Sequence, residues 1–254
     1  IMESFLNIYK SEFKNALKSA NEILKEKISS NNVNIEFKAR FIKGLALIRI
    51  SEFVNAFDEL NKAEEIYKKL KEPINEFEKI LFAELTVEKA LMVWVLFGDL
   101  TTFLKQIQEA EKIYSDVKDY RGSAKVLNFM SEAYFQSGQL DKSKMTAENS
   151  LEISRRWNIG IEENHSLRRI GEYYFSIGEL DLALDFILKG INIIEKIGSP
   201  WNESYLRLSL GIAYLRQGNF HSSQYQLETS IKLAQEVGDS HLVARGVLHI
   251  GDIY

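Results

Sequence analysis

The amino-acid sequence predicts an all-α fold, a solenoid of antiparallel helix pairs piled side by side. Three observations carry this expectation. The first is a period of 40 residues, kept by Gly171, Gly211 and Gly251, by Tyr174, Tyr214 and Tyr254, and by Ile170, Leu210 and Ile250. The second is a parallel series of turn glycines, Gly98, Gly138, Gly178 and Gly218, with the late-helix glycines Gly198 and Gly238 keeping the same interval. The third is that no useful length of chain alternates apolar and polar residues with the period of two that a half-buried strand requires. Self-similarity at such an interval marks a repeat array, in which one helical hairpin cannot bury its apolar face alone and its neighbours complete the core.

Taken in order, the first unit keeps only its second helix clearly, around Phe13, Ala16 and Ala20. The second unit has Gly44 and Leu47, then Ser51 where a turn glycine is expected, then Phe53, Ala56, Leu60 and Ala63. Gly98 follows Ser51 by 47 residues, so about seven extra residues are expected between Leu70 and Phe77. The third unit, Ala90-Leu91, Trp94, Gly98, Leu100 and Phe103, carries a bulky residue where a small one is expected, and Met92, Trp94, Phe97 and Phe103 read as core. From Ser131 and Tyr134 onward the register is regular, and the last unit stops inside its first helix at Tyr254. The expected total is about six full units plus a truncated seventh, forming one array over 1–254, looser over 1–83 and regular over 84–254. Second helices are expected to start just past the turn glycine, with Asp99, Asp141, Asp181 or Asn219 near the start to satisfy free amides and oppose the helix dipole. They end at Gly198 and Gly238, where a left-handed cap costs least. Pro73 and Pro200 are placed in links between units, where proline disturbs no helix. Ile1 ahead of Met2 leads us to expect a piece of a longer chain.

Composition narrows the function classes. The chain has 254 residues, 27% charged and 45% hydrophobic, as folded proteins do. A formal net charge of -4 gives no electrostatic case for nucleic acid. The absence of cysteine excludes disulfides, a thiol nucleophile and thiolate metal sites, and fits a cytoplasmic setting. The longest apolar run, Ala90 to Phe97, falls far short of the roughly 20 residues that cross a bilayer, so no membrane partner is expected. The start, Ile1-Met2-Glu3-Ser4, lacks the basic-then-apolar build of a signal peptide.

The residues then carry a resemblance. Leu167-x-x-Ile170-Gly171-x-x-Tyr174 followed by Ala183, Ile187 and Gly190 resembles a tetratricopeptide (TPR) repeat. Met130-Ser131-x-x-Tyr134 with Ser143, Ala147 and Ser150, and Leu210-Gly211-x-x-Tyr214 with Ser223, Leu227 and Ser230, resemble it too. The usual TPR period is about 34 residues, whereas the period of 40 resembles the subgroup found in signalling adaptors and in sensor modules of bacterial regulators. The resemblance implies a right-handed superhelix whose first helices line a concave groove. It implies a non-catalytic scaffold that binds a peptide or helical protein segment there, or alternatively a peptide-sensing module of a multidomain signalling or transcription regulator.

On that reading the groove positions are Lys125, Asn128, Phe129, Glu132 and Gln136, then His165, Arg168, Arg169 and Glu172, then Tyr205, Ser209 and Arg216, then Arg245, His249 and Asp252. Spacings of three, four and seven put each set on one helix face. Arg168, Arg169 and Asn128 are the expected contacts to carboxylates and peptide amides. The plainer alternative is salt bridging between units, for instance Lys125 with Glu132. The Lys/Asn carboxylate-clamp set of chaperone-binding TPR proteins is not found intact.

Nothing else assembles into chemistry. His165, His221, His241 and His249 form no ligand-spaced pair with acidic support. No phosphate-loop glycine pattern and no nucleophile with a nearby base is present, so no enzyme, metal or cofactor is expected. Glu64-Glu65 and Glu162-Glu163 read as solvated helix faces, and Arg155-Arg156-Trp157 as a surface patch. Trp157 and Trp201 stand at unit links as a possible second surface. Self-association is conceivable through end repeats that lack a polar capping helix.

Overall fold

A computed structural model describes residues 13–27, 32–70 and 74–254. Among these it holds twelve α-helices and no strand. The chain divides into two compact units, the first ending at Asp119 and the second running Tyr120–Tyr254.

The first unit contains α1 (Phe13–Lys27), α2 (Val33–Arg49), α3 (Phe53–Tyr67), α4 (Glu76–Phe97) and α5 (Leu100–Asp116), each packed on the next. Its core is built from large side chains. Phe37, Phe41, Leu60, Phe82 and Leu85 are buried between α2, α3 and α4, where Tyr67 stacks on Phe82 with ring centroids 4.0 Å apart. Phe103, Ile107 and Tyr114 are fully buried on α5. The extra residues of this unit are shared between a longer link and additional turns at the front of α4, which is 22 residues long. Asn75 caps that start by accepting from the Glu78 amide. Pro73 lies outside the described residues. Ser51 has φ 65°, the same left-handed turn that Gly98 makes at φ 67°. One core assignment is corrected. Met92 and Phe103 are buried, but Phe97, the last residue of α4, is 71% exposed. Its 40-residue equivalents Ser137, Ile177 and Gln217 are exposed as well, because this position points past the last packed turn.

The second unit is far more regular: α6 (Tyr120–Gln136), α7 (Leu140–Arg156), α8 (Gly160–Ser176), α9 (Leu180–Ile197), α10 (Pro200–Arg216), α11 (Phe220–Glu236) and α12 (Ser240–Gly251). Each packs on the next, and the first helices α6, α8, α10 and α12 also touch one another in sequence. Small residues set the spacing. A Cβ on Gly171 would stand 3.0 Å from Ile187 Cγ1, and one on Gly211 only 2.7 Å from Leu227 Cγ. Where serine replaces glycine or alanine in these columns, its hydroxyl satisfies a carbonyl of the facing helix. Ser131 and Ser143 donate to each other's carbonyls at 2.8 Å, and Ser204 and Ser230 do so at 2.9 and 2.8 Å. Ser150 donates to the Ala124 carbonyl and Ser223 to that of Gly211.

The ends of the helices refine the expectation. Asp99 and Asn219 are true caps, accepting from the Thr102 and Ser222 amides. Asp141 and Asp181 instead sit in the first turns of α7 and α9, and accept from Tyr173 Oη of α8 and from Nε2 of Gln217, the residue that caps α10. Pro200 is the first residue of α10, a position whose amide has no helical acceptor to lose. The described helices make five hairpins, with α1 before them and α12 after. The first helix of the opening unit would fall in 1–12, outside the described residues.

Candidate functional site

The first helices of the second unit bring most of the predicted groove residues onto one continuous face. At its centre is an ionic cluster shared by α6 and α8. Glu132 on α6 pairs with both Arg168 and Arg169 of α8. Glu172, one turn on, pairs with Arg168 at 2.7 Å and with Arg169 at 2.5 Å. Burial pushes the Glu172 carboxyl up, but Arg168 and Arg169 outweigh it and hold it below the usual carboxylate range. Arg169 is only 3% exposed, and its guanidinium also lies 4.8 Å over the Phe135 ring.

Tyr205 on α10 continues the face. Arg168 from α8 lies 4.7 Å from its ring centroid and Arg245 from α12 lies 5.3 Å from it, while Arg245 donates to the Tyr205 hydroxyl at 2.9 Å. One aromatic ring thus ties three successive first helices together. Further along α10, Arg216 lies 5.5 Å over Phe175 of α8. Ser209 donates back to the Tyr205 carbonyl of its own helix, and His249 of α12 bonds Asp252, the residue that caps its end. Gln136 donates to Glu132. Lys125 and Phe129 are half-buried on α6.

A second network lies beneath the face. Asn128 is buried, donates to the Glu162 carboxylate at 3.0 Å, and accepts from Ser166. His165 shares a hydrogen bond of 2.9 Å with Asn202 of α10. Burial pulls the His165 imidazole below its ordinary range, the Glu162 charge opposing and Arg168 adding to the effect. Glu162 corrects the reading of Glu162-Glu163 as a solvated face. It is buried because the tight α6–α8 approach turns it toward the Asn128 amide. Glu64 likewise is half-buried and paired with Lys68 and Lys89.

Several contributors were not foreseen: Phe135, Phe175, Asn202, Ser166 and Glu162. Phe135 and Phe175 keep the period of 40, and that column was the signal to follow. Elsewhere, Arg155 and Arg156 are paired with Glu163 and Glu152. Trp157, 49% exposed, stacks on Tyr120, and Trp201, 44% exposed, donates to Asp239. Among the described residues no group of three or more His, Asp or Glu is placed to hold a metal ion, and no helix is long and apolar enough to cross a membrane.

No sequence-family profile matches the chain. Solved structures do. A signal transduction ATPase with numerous domains and a tetratricopeptide repeat sensor, from Pyrococcus horikoshii, matches with a TM-score of 0.77 and 15% identity, over 100% of this chain and 38% of that one. The Rap conjugation gene regulator of plasmid pLS20, solved with a peptide, matches with a TM-score of 0.72 and 17% identity, over 87% of this chain and 59% of that one. NprR in complex with its cognate peptide NprX matches with a TM-score of 0.71 and 14% identity, over 96% and 70%. The chain therefore spans less than two thirds of the first two of these proteins. What all three share with it is the helix-pair stack, and the fold of this chain is that of TPR-like repeat proteins.

Proposed function

We propose that this chain is a non-catalytic interaction module that binds a peptide or helical protein segment on the first-helix face of its second unit, in the cytoplasm. The observation that carries this reading is the unbroken run of half-buried polar and aromatic side chains from Glu132 through Arg168, Glu172 and Tyr205 to Arg245, spread over four successive first helices. A face already ordered by ion pairs and ring stacking loses little side-chain freedom when a ligand arrives. The peptide complexes of the Rap regulator and NprR support the same use of this fold. Ser209 offers a clean test. Its hydroxyl bonds only within its own helix turn, so Ser209→Trp fills the face without removing an inter-helix bond. Peptides selected from a display library are expected to lose at least about tenfold in affinity to this variant. Binders that ignore both this and Tyr205→Ala, with unchanged melting of the variants, would remove the proposal.

A second reading is favoured by the match to a repeat sensor inside a much longer signalling ATPase. The module would then report peptide binding to an attached effector domain, because small changes per hairpin accumulate along a stack. Peptide-dependent activity of an effector in the full-length protein supports it, and an effector indifferent to peptide rejects it.

A further inference from the structure

The arginines of this face fall into two classes, and the difference points to the ligand. Arg168 and Arg169 are saturated: each has both Glu132 and Glu172 as partners. Arg207, Arg155 and Arg156 are paired with carboxylates as well. Arg216 and Arg245 have no carboxylate within ion-pair distance among the described residues, although Arg245 acts at longer range on Glu172; each instead lies against a ring, Arg245 half-buried and Arg216 exposed. Arg245 stacks on Tyr205 and spends one donor on its hydroxyl, and Arg216 stacks on Phe175. Arg121, exposed at the start of α6, has neither a carboxylate nor a ring partner among the described residues. An aromatic platform fixes a guanidinium plane while leaving its edge donors open, which is the arrangement that takes a carboxylate with two parallel hydrogen bonds. Arg245 is also half-buried, so an arriving anion relieves a cation that is partly withdrawn from water.

Building on the peptide-binding reading above, we infer that the ligand is an acidic peptide whose side-chain carboxylates are taken by Arg245 and Arg216. The separation follows from the helix. Arg245 bonds at the level of Tyr205 on α10, and Arg216 lies eleven positions further along that helix. At about 1.5 Å per residue this is roughly 16 Å, which an extended strand covers in about five residues. The recognised segment therefore carries two Asp or Glu residues about five positions apart.

The test uses this chain and end-blocked fluorescent peptides with two Glu at about that spacing, against the same peptides with Gln, read by anisotropy. The Glu peptides are expected to bind at least about tenfold more tightly, with the advantage shrinking at high salt. Arg245→Gln and Arg216→Gln each remove most of that advantage, Arg245→Lys restores part of it, and Lys232→Gln on the exposed side of α11 leaves it intact. Equal binding of Glu and Gln peptides, or a preference that survives both arginine substitutions, overturns the inference. If neutral or basic peptides bind best and Ser209→Trp blocks them, the acidic ligand is wrong while the binding face stands. Failure of every peptide to bind overturns both.

Discussion

The two units build one kind of helix stack from different mixtures of side chains. In the first, the large side chains Phe37, Phe41, Phe82, Phe103 and Tyr114 are buried beside small ones such as Gly44, where a Cβ would stand 2.5 Å from Leu60 Cδ2. In the second, glycine, alanine and serine let the helices close, and hydroxyl-to-carbonyl bonds replace much of the apolar filling. The column at residue 91 shows the contrast. Gly44 and Leu91 stand there in the first unit, and Ser131, Gly171 and Gly211 stand there in the second, so Leu91 is the one bulky residue of the column. Close approach has a consequence for function. It brings α6, α8, α10 and α12 near enough for Glu132, Arg168, Tyr205 and Arg245 to link across them.

The strongest way to break the comparison is to remove bulk from the first unit. Phe103 is fully buried and packs against Trp94 with ring centroids 4.5 Å apart. Phe103→Ala is expected to cost about 3–5 kcal/mol by leaving a cavity. Hydrogen exchange read by mass spectrometry should show the loss in segments of the first unit. A loss of protection confined to 120–254 would contradict the assignment of its core.

The opposite change belongs in the second unit. Gly171→Leu drives a side chain into Ile187 and the Ala183 carbonyl, and is expected to cost at least about 1–3 kcal/mol by overpacking. A urea-denaturation midpoint unchanged within error would mean the α8–α9 spacing is not set by this glycine.

Acidification separates the units more gently, through His165 in the second unit. The unfolded chain protonates His165 near its ordinary 6.5, while the folded chain resists protonation. Its contribution is therefore complete above 6.5 and is lost as the pH falls toward the lower folded value. Glu172 in the second unit and Glu64 and Glu78 in the first are all held below 4.5, so their contributions persist until the pH falls below that value. Between about pH 6.5 and pH 5 the second unit should loosen before the first. His165→Gln, which keeps a partner for Asn202 without titrating, should flatten the melting temperature across that window. A slope unaltered by the substitution would assign the effect elsewhere.

How much of this was legible follows from which residues the physics demands. Gly98, Gly138, Gly178 and Gly218 were readable as turns because their φ values of 67° to 86° favour glycine. Gly171 and Gly211 were readable because the facing helix leaves no room. The column at 124, 164 and 204 was not read, since Ala124, Asn164 and Ser204 share no side-chain chemistry. They share only an offset of 26 to Ser150, Gly190 and Ser230, with which they bond. At the site, spacing put each helix's own set on one face, and the TPR resemblance implied that the sets carrying Arg168, Arg169, Arg216 and Arg245 share a wall. The Glu172 pairs are i,i+3 and i,i+4 neighbours within α8 and follow from spacing, whereas Glu132 reaches across from α6, which no local pattern records.

The column of Gly198 and Gly238 was legible, but its members Lys118 and Asn158 share no side-chain chemistry with glycine, and they yield the smallest effect. Gly198 and Gly238 take left-handed turns at φ 74°, and their equivalents Lys118 and Asn158 take the same turn at φ 57° and 55°. Lysine carries a steric penalty there that glycine lacks, whereas asparagine tolerates the conformation better. Glycine also makes the unfolded chain more flexible, which offsets part of the gain. Lys118→Gly is therefore expected to stabilise the first unit by about 0.5 kcal/mol, and Asn158→Gly to leave the second within about 0.3 kcal/mol of its starting value. Paired urea titrations of the two variants would resolve the difference. A larger gain at Asn158 than at Lys118 would show that side-chain contacts, not backbone geometry, decide these turns.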